Sequence, residues 1–477
     1  VVFKVDGRAI TPIINEKVMA GLGRGLSETG VLNPVGWEAA VQALRRFATL
    51  VEARAIETVY AVATAAVRTA QDGPAFVEFV AAQAGLSLNV IDGREEARLS
   101  ALGVLAGAPD AKGIAGDLGG SSLELVPISP LGPGEGETFA LGPLALAHAG
   151  AFQADAVAAE VTQSLAGTKL FSRFGGEAFY AVGGAWRAMG RIDIALREHP
   201  VDVLHQHEMS RADALKVIDF IRKQSKRSLE KFEEAAAKRA DALPYAAAVL
   251  AKILERGAFD RVILSSYGLR EGLLFNAMSK ELRALDPLVA CAEAFGGPTS
   301  RTRAFGAALE RWIAPIFANG PQVFERRRDG VLRAAACRLA DIGAGLHPDQ
   351  REAVIFELVL EGQLAGITHP ERAFLAAAVQ HRYSKVLPAS ASTAVQRLLT
   401  PEQANAAACL GLAMRLGADL SGRNEALMER LSIRREGETL TLSAAAGFQQ
   451  LLTEQSVRRL EPLAQALGLK PHVKRKA

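Results

Sequence analysis

The stretch Gly116-Asp117-Leu118-Gly119-Gly120-Ser121-Ser122-Leu123-Glu124-Leu125 constrains this chain more than any other. Apolar residues on both sides of a tight Gly-Gly-Ser-Ser turn predict two strands, Ile114–Leu118 and Leu123–Ile128, joined as a hairpin. Glycines let successive N–H groups turn toward one anion, and Ser121 and Ser122 add hydroxyl donors. Asp117, at the end of a buried strand, then stands where it can hold a magnesium ion opposite the same oxygens. Taken alone, an ordinary glycine hairpin with an exposed aspartate fits the same residues.

Around this hairpin the chain alternates strand and helix, the pattern of an α/β fold. Val1–Val5 and Ala9–Asn15 read as strands about a turn at Asp6-Gly7. A helix is expected over Trp37–Arg54, a buried strand over Thr58–Thr64, a helix over Pro74–Ala84 and a strand over Leu86–Ile91. Lys112-Gly113 marks a lobe boundary, Ala178–Gly184 a strand with a glycine turn, and Arg261–Ser265 a last strand. Beyond Asp286 the residues read as helix after helix, rich in Ala, Leu and Arg, with one strand-like piece at Thr439–Ser443. The domains expected are 1–112, 113–285 and 286–477, which suits 477 residues, too many for one core.

Two further constellations carry chemistry. In Asp92-Gly93-Arg94-Glu95-Glu96-Ala97-Arg98-Leu99, Asp92 caps a helix and Glu95 completes a capping box. Adjacent helical side chains diverge by about 100°, so Glu96 is free to face a phosphate and deprotonate water, or else to sit solvated. In Ala63-Thr64-Ala65-Ala66-Val67-Arg68 a strand ends in a small-residue turn and an arginine, whose fork suits phosphate oxygens. An unremarkable surface arginine fits there equally.

In this order and spacing the three motifs resemble the exopolyphosphatase/guanosine pentaphosphate phosphohydrolase (Ppx/GppA) family of the actin-like ATPase superfamily. Val182-Gly183-Gly184, Arg239-Ala240-Asp241-Ala242-Leu243-Pro244 and Ser266-Tyr267-Gly268-Leu269-Arg270-Glu271-Gly272 extend the match over roughly residues 1–285. The resemblance implies two actin-like (ribonuclease H-like) lobes with a cleft, followed by an all-α HD-like domain. By the same resemblance Glu96 activates water, Arg68 faces the terminal phosphate and Asp117 links to magnesium or another divalent cation. Gly119, Gly120, Ser121 and Ser122 form the phosphate cradle, and Gly183 and Gly184 the turn on the nucleoside side. Glu124 matches a second acidic position, where metal-binding and structural roles both fit. Ser121 stands in place of a more usual glycine, and Asp92 in place of serine. The chain opens inside a strand, and the family's first phosphate loop is expected before Val1.

The activity implied is magnesium-dependent exopolyphosphatase, a phosphoric anhydride hydrolase removing terminal phosphate from inorganic polyphosphate. The alternatives are a guanosine pentaphosphate 5′-phosphohydrolase and, from another class, a non-catalytic polyphosphate or alarmone sensor. A kinase of the same superfold would need an adenosine pocket and an acceptor-side base. The family also implies a homodimer. In the HD-like region the diagnostic pair reads Ala340-Asp341, so a second metal centre is not expected, and His347, His369 and His381 are assigned structural or surface roles. That region is expected to line a groove for a polyanion.

Candidate basic tracks are Arg222-Lys223 with Lys226-Arg227, Arg301 with Arg303, Arg326-Arg327-Arg328, and the tail from Lys470 through Lys474-Arg475-Lys476. Aromatic residues are scarce around them, so no nucleic acid is expected. The net charge of +3 neither demands nor excludes a polyanion. Cys291, Cys337 and Cys409 form no CxxC pair and are expected as buried thiols in a reducing cytoplasm. No apolar run reaches membrane-spanning length.

Overall fold

The computed structural model describes residues 1–147, 152–174, 176–232, 237–297, 299–318, 320–384 and 386–474. Two compact units divide the chain. The first holds Val1–Phe3, Pro12–His199 and Leu204–Met278, and the second holds Lys4–Thr11, Pro200–Val203 and Ser279–Ala477. Among the described residues no helix is long and apolar enough to cross a membrane.

The N-terminal strands β1 (Val2–Asp6) and β2 (Ala9–Ile14) form the expected hairpin. The next two strands are much shorter than expected. β3 is only Val62–Ala63 and β4 only Asn89–Val90, paired in parallel over those residues. Val59 and Tyr60, placed by their apolar character in a buried strand, are 45% and 51% exposed. Apolar composition alone could not tell a buried run from one that no neighbouring strand covers.

The centre of the first unit is a seven-stranded mixed sheet. It adds β5 (Gly113–Leu118), β6 (Leu123–Ser129), β7 (Gly132–Pro133), β8 (Glu137–Phe139), β9 (Ala178–Val182), β10 (Glu208–Ser210) and β11 (Arg261–Leu264). The order is β10-β11-β9-β5-β6-β7, with β8 also on β6. β9 runs parallel to both β5 and β11, while β5 and β6 are the antiparallel hairpin read from the sequence. Ile114, Leu123, Leu125, Phe179, Val262 and Leu264 are fully buried in its core. A run apolar on both faces suits a sheet covered on both sides.

The helix Gly93–Gly107 lies against this sheet and starts as the sequence suggests, with the Asp92 carboxylate accepting from the Glu95 N–H at 2.8 Å. The return arm of the capping box is not made. Glu95 instead accepts from Arg98 at 2.7 and 2.8 Å, a bidentate pair one turn along. Its partner is the helix Leu269–Ala277, and glycines make their close approach possible. A Cβ on Gly272 would stand 1.8 Å from the Leu99 carbonyl oxygen, and one on Gly103 would stand 2.1 Å from that of Gly268. Backbone cannot yield as a flexible side chain does. Gly272→Ala should therefore destabilise the first unit by about 2–3 kcal/mol, as overpacking does. Gly167→Ala, where a Cβ meets nothing within 4 Å, is the matched control in thermal melts.

The second unit is largely helical. Helices Pro348–Leu360, His369–Tyr383 and Pro401–Leu420 pack in succession, the last two starting in capping boxes at Thr368 and Thr400. It is not all-α, however. β12 (Leu431–Glu436), β13 (Thr439–Ala444) and β14 (Lys470–Lys474) form a three-stranded sheet, β14 parallel to β13. The residues read as the start of a basic tail are thus a sheet strand, and their alternating charges masked it. Arg475 and Lys476 lie outside the described residues.

Each of the other basic tracks has a member held in an ion pair. Arg303 binds Asp6 at 2.5 Å, Arg328 binds Glu371 at 2.7 Å, and Lys223 and Lys226 pair with Asp219 and Asp241 at 2.6 Å each. Partners one helical turn away for Lys223, and distant in sequence for Arg303 and Arg328, neutralise what runs of Arg and Lys suggested. All three cysteines are free and buried.

Candidate functional site

Glu96 leaves the first turn of Gly93–Gly107 and meets Arg68, on the short helix Ala65–Thr69. Arg68 Nη1 donates to Glu96 Oε2 at 3.0 Å and to the Ile91 carbonyl at 2.8 Å. Burial pushes the Glu96 carboxyl above the ordinary glutamate range, while Arg68 and Thr64 pull against it and Asp117 adds to the rise.

One turn further along the same helix, Ser100 Oγ donates to Asp117 Oδ2. Burial raises the Asp117 carboxyl too, against the pull of Ser100, Arg187 and Arg270. Asp117 lies in register with Glu124 across the β5–β6 ladder, so both side chains emerge on one face of the sheet. Glu124 is 2% exposed and its Oε1 has no hydrogen-bond partner among the described residues. Burial and then the Glu96 charge lift its carboxyl to about 8, opposed by the Ser122 hydroxyl. Glu96, Ser100 and Gly103 sit at helical positions i, i+4 and i+7, a single stripe facing Arg68, Asp117 and Gly268 in turn.

The hairpin tip closes differently from a simple four-residue cradle. The Gly119 N–H is used within the turn, donating to the Ser122 carbonyl at 2.9 Å. Among the described residues the N–H groups of Gly120, Ser121 and Ser122 make no such backbone bond. Arg68, Ser121 and Ser122 line one cavity of about 320 Å3, with Gly23, Ala65 and Thr138 among its other walls. Three of the residues singled out from the sequence are thus brought together around a space. Gly183 has a packing reason of its own, whereas the neighbour of Gly184 is the far end of a flexible arginine. Gly183 has φ 112° and its Cβ would meet the Leu118 carbonyl oxygen at 2.4 Å, while a Cβ on Gly184 would meet the Arg239 guanidinium at 2.4 Å.

A set of cations completes the site, and sequence reasoning assigned it no role. Arg187 acts on Asp117 and Glu271, Arg239 acts on Arg187, and Arg270 acts on Asp117. Lys17 lies within electrostatic reach of all three arginines. Its own burial, followed by their charges, lowers its pKa to about 8. Arg239 and Arg270 stand inside quoted motifs, which was the available signal, whereas Lys17, Arg187 and Ser100 carried none.

The residues fit a hard divalent cation. Glu124 offers an orphaned buried oxygen, and three carboxylates repel one another around it. Their oxygens do not all lie within 4.8 Å of one another, so they make no compact three-ligand cage among the described residues. One or two carboxylates completed by water and phosphate oxygens is the habit of magnesium.

An acidic pole and a basic pole about a glycine-serine hairpin define an α/β protein built to handle phosphate groups. The chain belongs to the Ppx/GppA phosphatase family, whose model matches residues 1–281, and the model described as exopolyphosphatase, C-terminal, matches 288–473. Among solved structures it is similar to an exopolyphosphatase from Cytophaga hutchinsonii, at 20% identity and TM-score 0.51 over 56% of this chain and 89% of that one. It is also similar to an exopolyphosphatase-like protein, at 23% identity and TM-score 0.50 over 57% and 91%. A Ppx/GppA family member from Aquifex aeolicus follows at 22% and 0.49, over 57% and 90%. At such identities the likeness speaks for the fold alone.

Proposed function

We propose that this protein is an exopolyphosphatase, removing the terminal phosphate of inorganic polyphosphate by attack of water. The observation that carries the reading is Glu96. It is a buried carboxylate with a raised pKa, bound to an arginine that lines the same cavity as the Ser121-Ser122 hairpin. A base whose pKa is lifted toward the working pH is better matched to taking a proton from water. In this reading Glu96 accepts that proton while Arg68 keeps the carboxylate aimed and offers its remaining N–H groups to the terminal phosphate.

The free N–H groups of the hairpin and the cations Lys17, Arg187, Arg239 and Arg270 hold the remaining phosphate oxygens. Asp117 and Glu124 would hold magnesium, which supplies neutralisation of phosphate charge when bound. Ser100 keeps Asp117 in place. The β3–β4 pair and the seven-stranded sheet would belong to the two actin-like lobes.

The match of 288–473 to an exopolyphosphatase C-terminal model favours polyphosphate over the nucleotide. The test is phosphate release from long-chain polyphosphate and from guanosine pentaphosphate under equal conditions. Clear preference for polyphosphate is expected. Preference for the nucleotide would move the assignment to a pentaphosphate hydrolase, and binding without release from either would make the protein a sensor.

A further inference from the structure

His205 is 5% exposed and takes no part in the proposed hydrolysis, yet its ring joins two parts of that site. Its Nε2 lies 3.2 Å from the carbonyl oxygen of Gly107, the last residue of the helix that bears Glu96. Its Nδ1 accepts from the Ser266 N–H at 3.3 Å. These two bonds decide the tautomer. A ring nitrogen that accepts from an N–H carries no proton, so the proton of the neutral imidazole sits on Nε2 and is donated to Gly107.

The ring is held in that orientation. Tyr267 stacks on it with 4.8 Å between ring centroids and 19° between planes. A Cβ on Gly107 would stand 2.6 Å from its Cε1, so the end of the helix has room for the ring only because it is glycine. The turn that follows closes on itself, with Ser265 Oγ donating to the Tyr267 carbonyl at 2.7 Å and accepting from the Tyr267 N–H at 3.2 Å.

Ser266 faces the phosphate-handling groups with its other polar atom. Its carbonyl accepts from Arg187 Nη1 at 3.4 Å. Arg187 stands near the start of the helix Gly184–Leu196, and its charge bears on Asp117. The same turn continues into Gly268, where a Cβ would stand 3.8 Å from Asp117 Oδ2. The backbone of Ser266 is thus tied to His205 through its N–H and to Arg187 through its carbonyl. A long arginine side chain fixed before the substrate arrives loses less rotamer freedom on binding.

We infer that His205 is a positioning residue for the phosphate site, holding the Ser266 backbone so that Arg187 is aimed at phosphate oxygens in advance. The inference rests on the proposed assignment of Arg187 to those oxygens. A histidine that only fills the core would be satisfied by the same two bonds. The test therefore separates the two nitrogens of the ring and follows the effect through Arg187.

His205→Asn keeps an oxygen near the place of Nδ1, able to accept from Ser266. His205→Gln keeps an amide nitrogen near the place of Nε2, able to donate to Gly107. Both should melt below the parent by similar amounts, so lost stability does not separate them. His205→Gln should raise the KM for polyphosphate by roughly tenfold, the scale of one charge-assisted hydrogen bond, with a much smaller change in kcat. The Kd of imidotriphosphate, whose P–N–P bridges resist hydrolysis, should rise in parallel. His205→Asn should recover most of that loss. In an Arg187→Ala background His205→Gln should add little, because residues that act through one another are not additive.

Equal KM values for the Asn and Gln variants would overturn the inference and leave His205 a core residue. So would a loss confined to kcat, or a Gln effect as large without Arg187 as with it. A parent that binds imidotriphosphate but releases no phosphate would sink the hydrolysis assignment alone, and the Kd comparison would still decide the role of His205. A parent that does not bind it would remove both.

Discussion

Glu96→Gln should lower phosphate release by roughly 10²–10⁴-fold, the usual contribution of a general base. Glutamine keeps the size of the side chain and an oxygen able to accept from Arg68 Nη1. Burial already disfavours the charged form of Glu96, so a neutral amide should not harm folding, and the melting temperature should hold. Activity surviving intact would remove Glu96 as the base.

The pH profile separates a base from a merely structural carboxylate. Glu96 must be ionised to accept a proton, so the rate should climb with pH on an acidic limb displaced upward from the ordinary glutamate value. Arg68 is the largest force holding that pKa down. Arg68→Ala should therefore move the limb to still higher pH as well as lowering the maximum rate. A limb that stays put would mean that Arg68 does not govern the charge on Glu96.

The second large effect concerns Glu124. Its carboxyl titrates near 4.5 in an unfolded chain and at about 8 in the folded one, so between those values the folded state binds the extra proton. Stability contributed by this group is complete below about pH 4.5 and is lost as pH rises to about 8. The loss is on the order of 5 kcal/mol. Glu124→Gln should then melt higher than the parent at pH 8 in the absence of divalent cations, by roughly 5–10 °C. Magnesium should raise the parent's melting temperature at pH 8 and do much less at pH 5, where the proton occupies the oxygen the ion would take. If magnesium stabilises parent and Glu124→Gln alike at pH 8, Glu124 is not a ligand.

What could be seen in the sequence was local. The β5–β6 hairpin, the Asp92 cap and the start of the helix bearing Glu96 are written in residues a few positions apart, where turn chemistry and capping act directly. The cations about Asp117 come from positions 17, 187, 239 and 270. Arg239 and Arg270 lie in motifs, but nothing in the immediate neighbours of the others marks them, and only tertiary packing brings the set together. Charged runs misled for the complementary reason. Arg303 and Arg328 look like open surface charge until Asp6 and Glu371 are seen beside them. β14 went unread because lysines, a proline and a histidine resemble a tail and not a strand.

The stripe Glu96, Ser100, Gly103 has a consequence for how this protein can vary. One inserted or deleted residue between the first and last of these would turn one end of the helix about 100° against the other. Either Glu96 would swing away from Arg68, or a side chain would be driven into the Gly268 carbonyl. Substitutions are costly there as well, because every residue from Leu99 to Gly107 is buried, whereas exposed loops away from the helix can absorb changes of length. Natural length variation should therefore collect in such loops and stop at the ends of this helix, whose residue count behaves as an inherited constant.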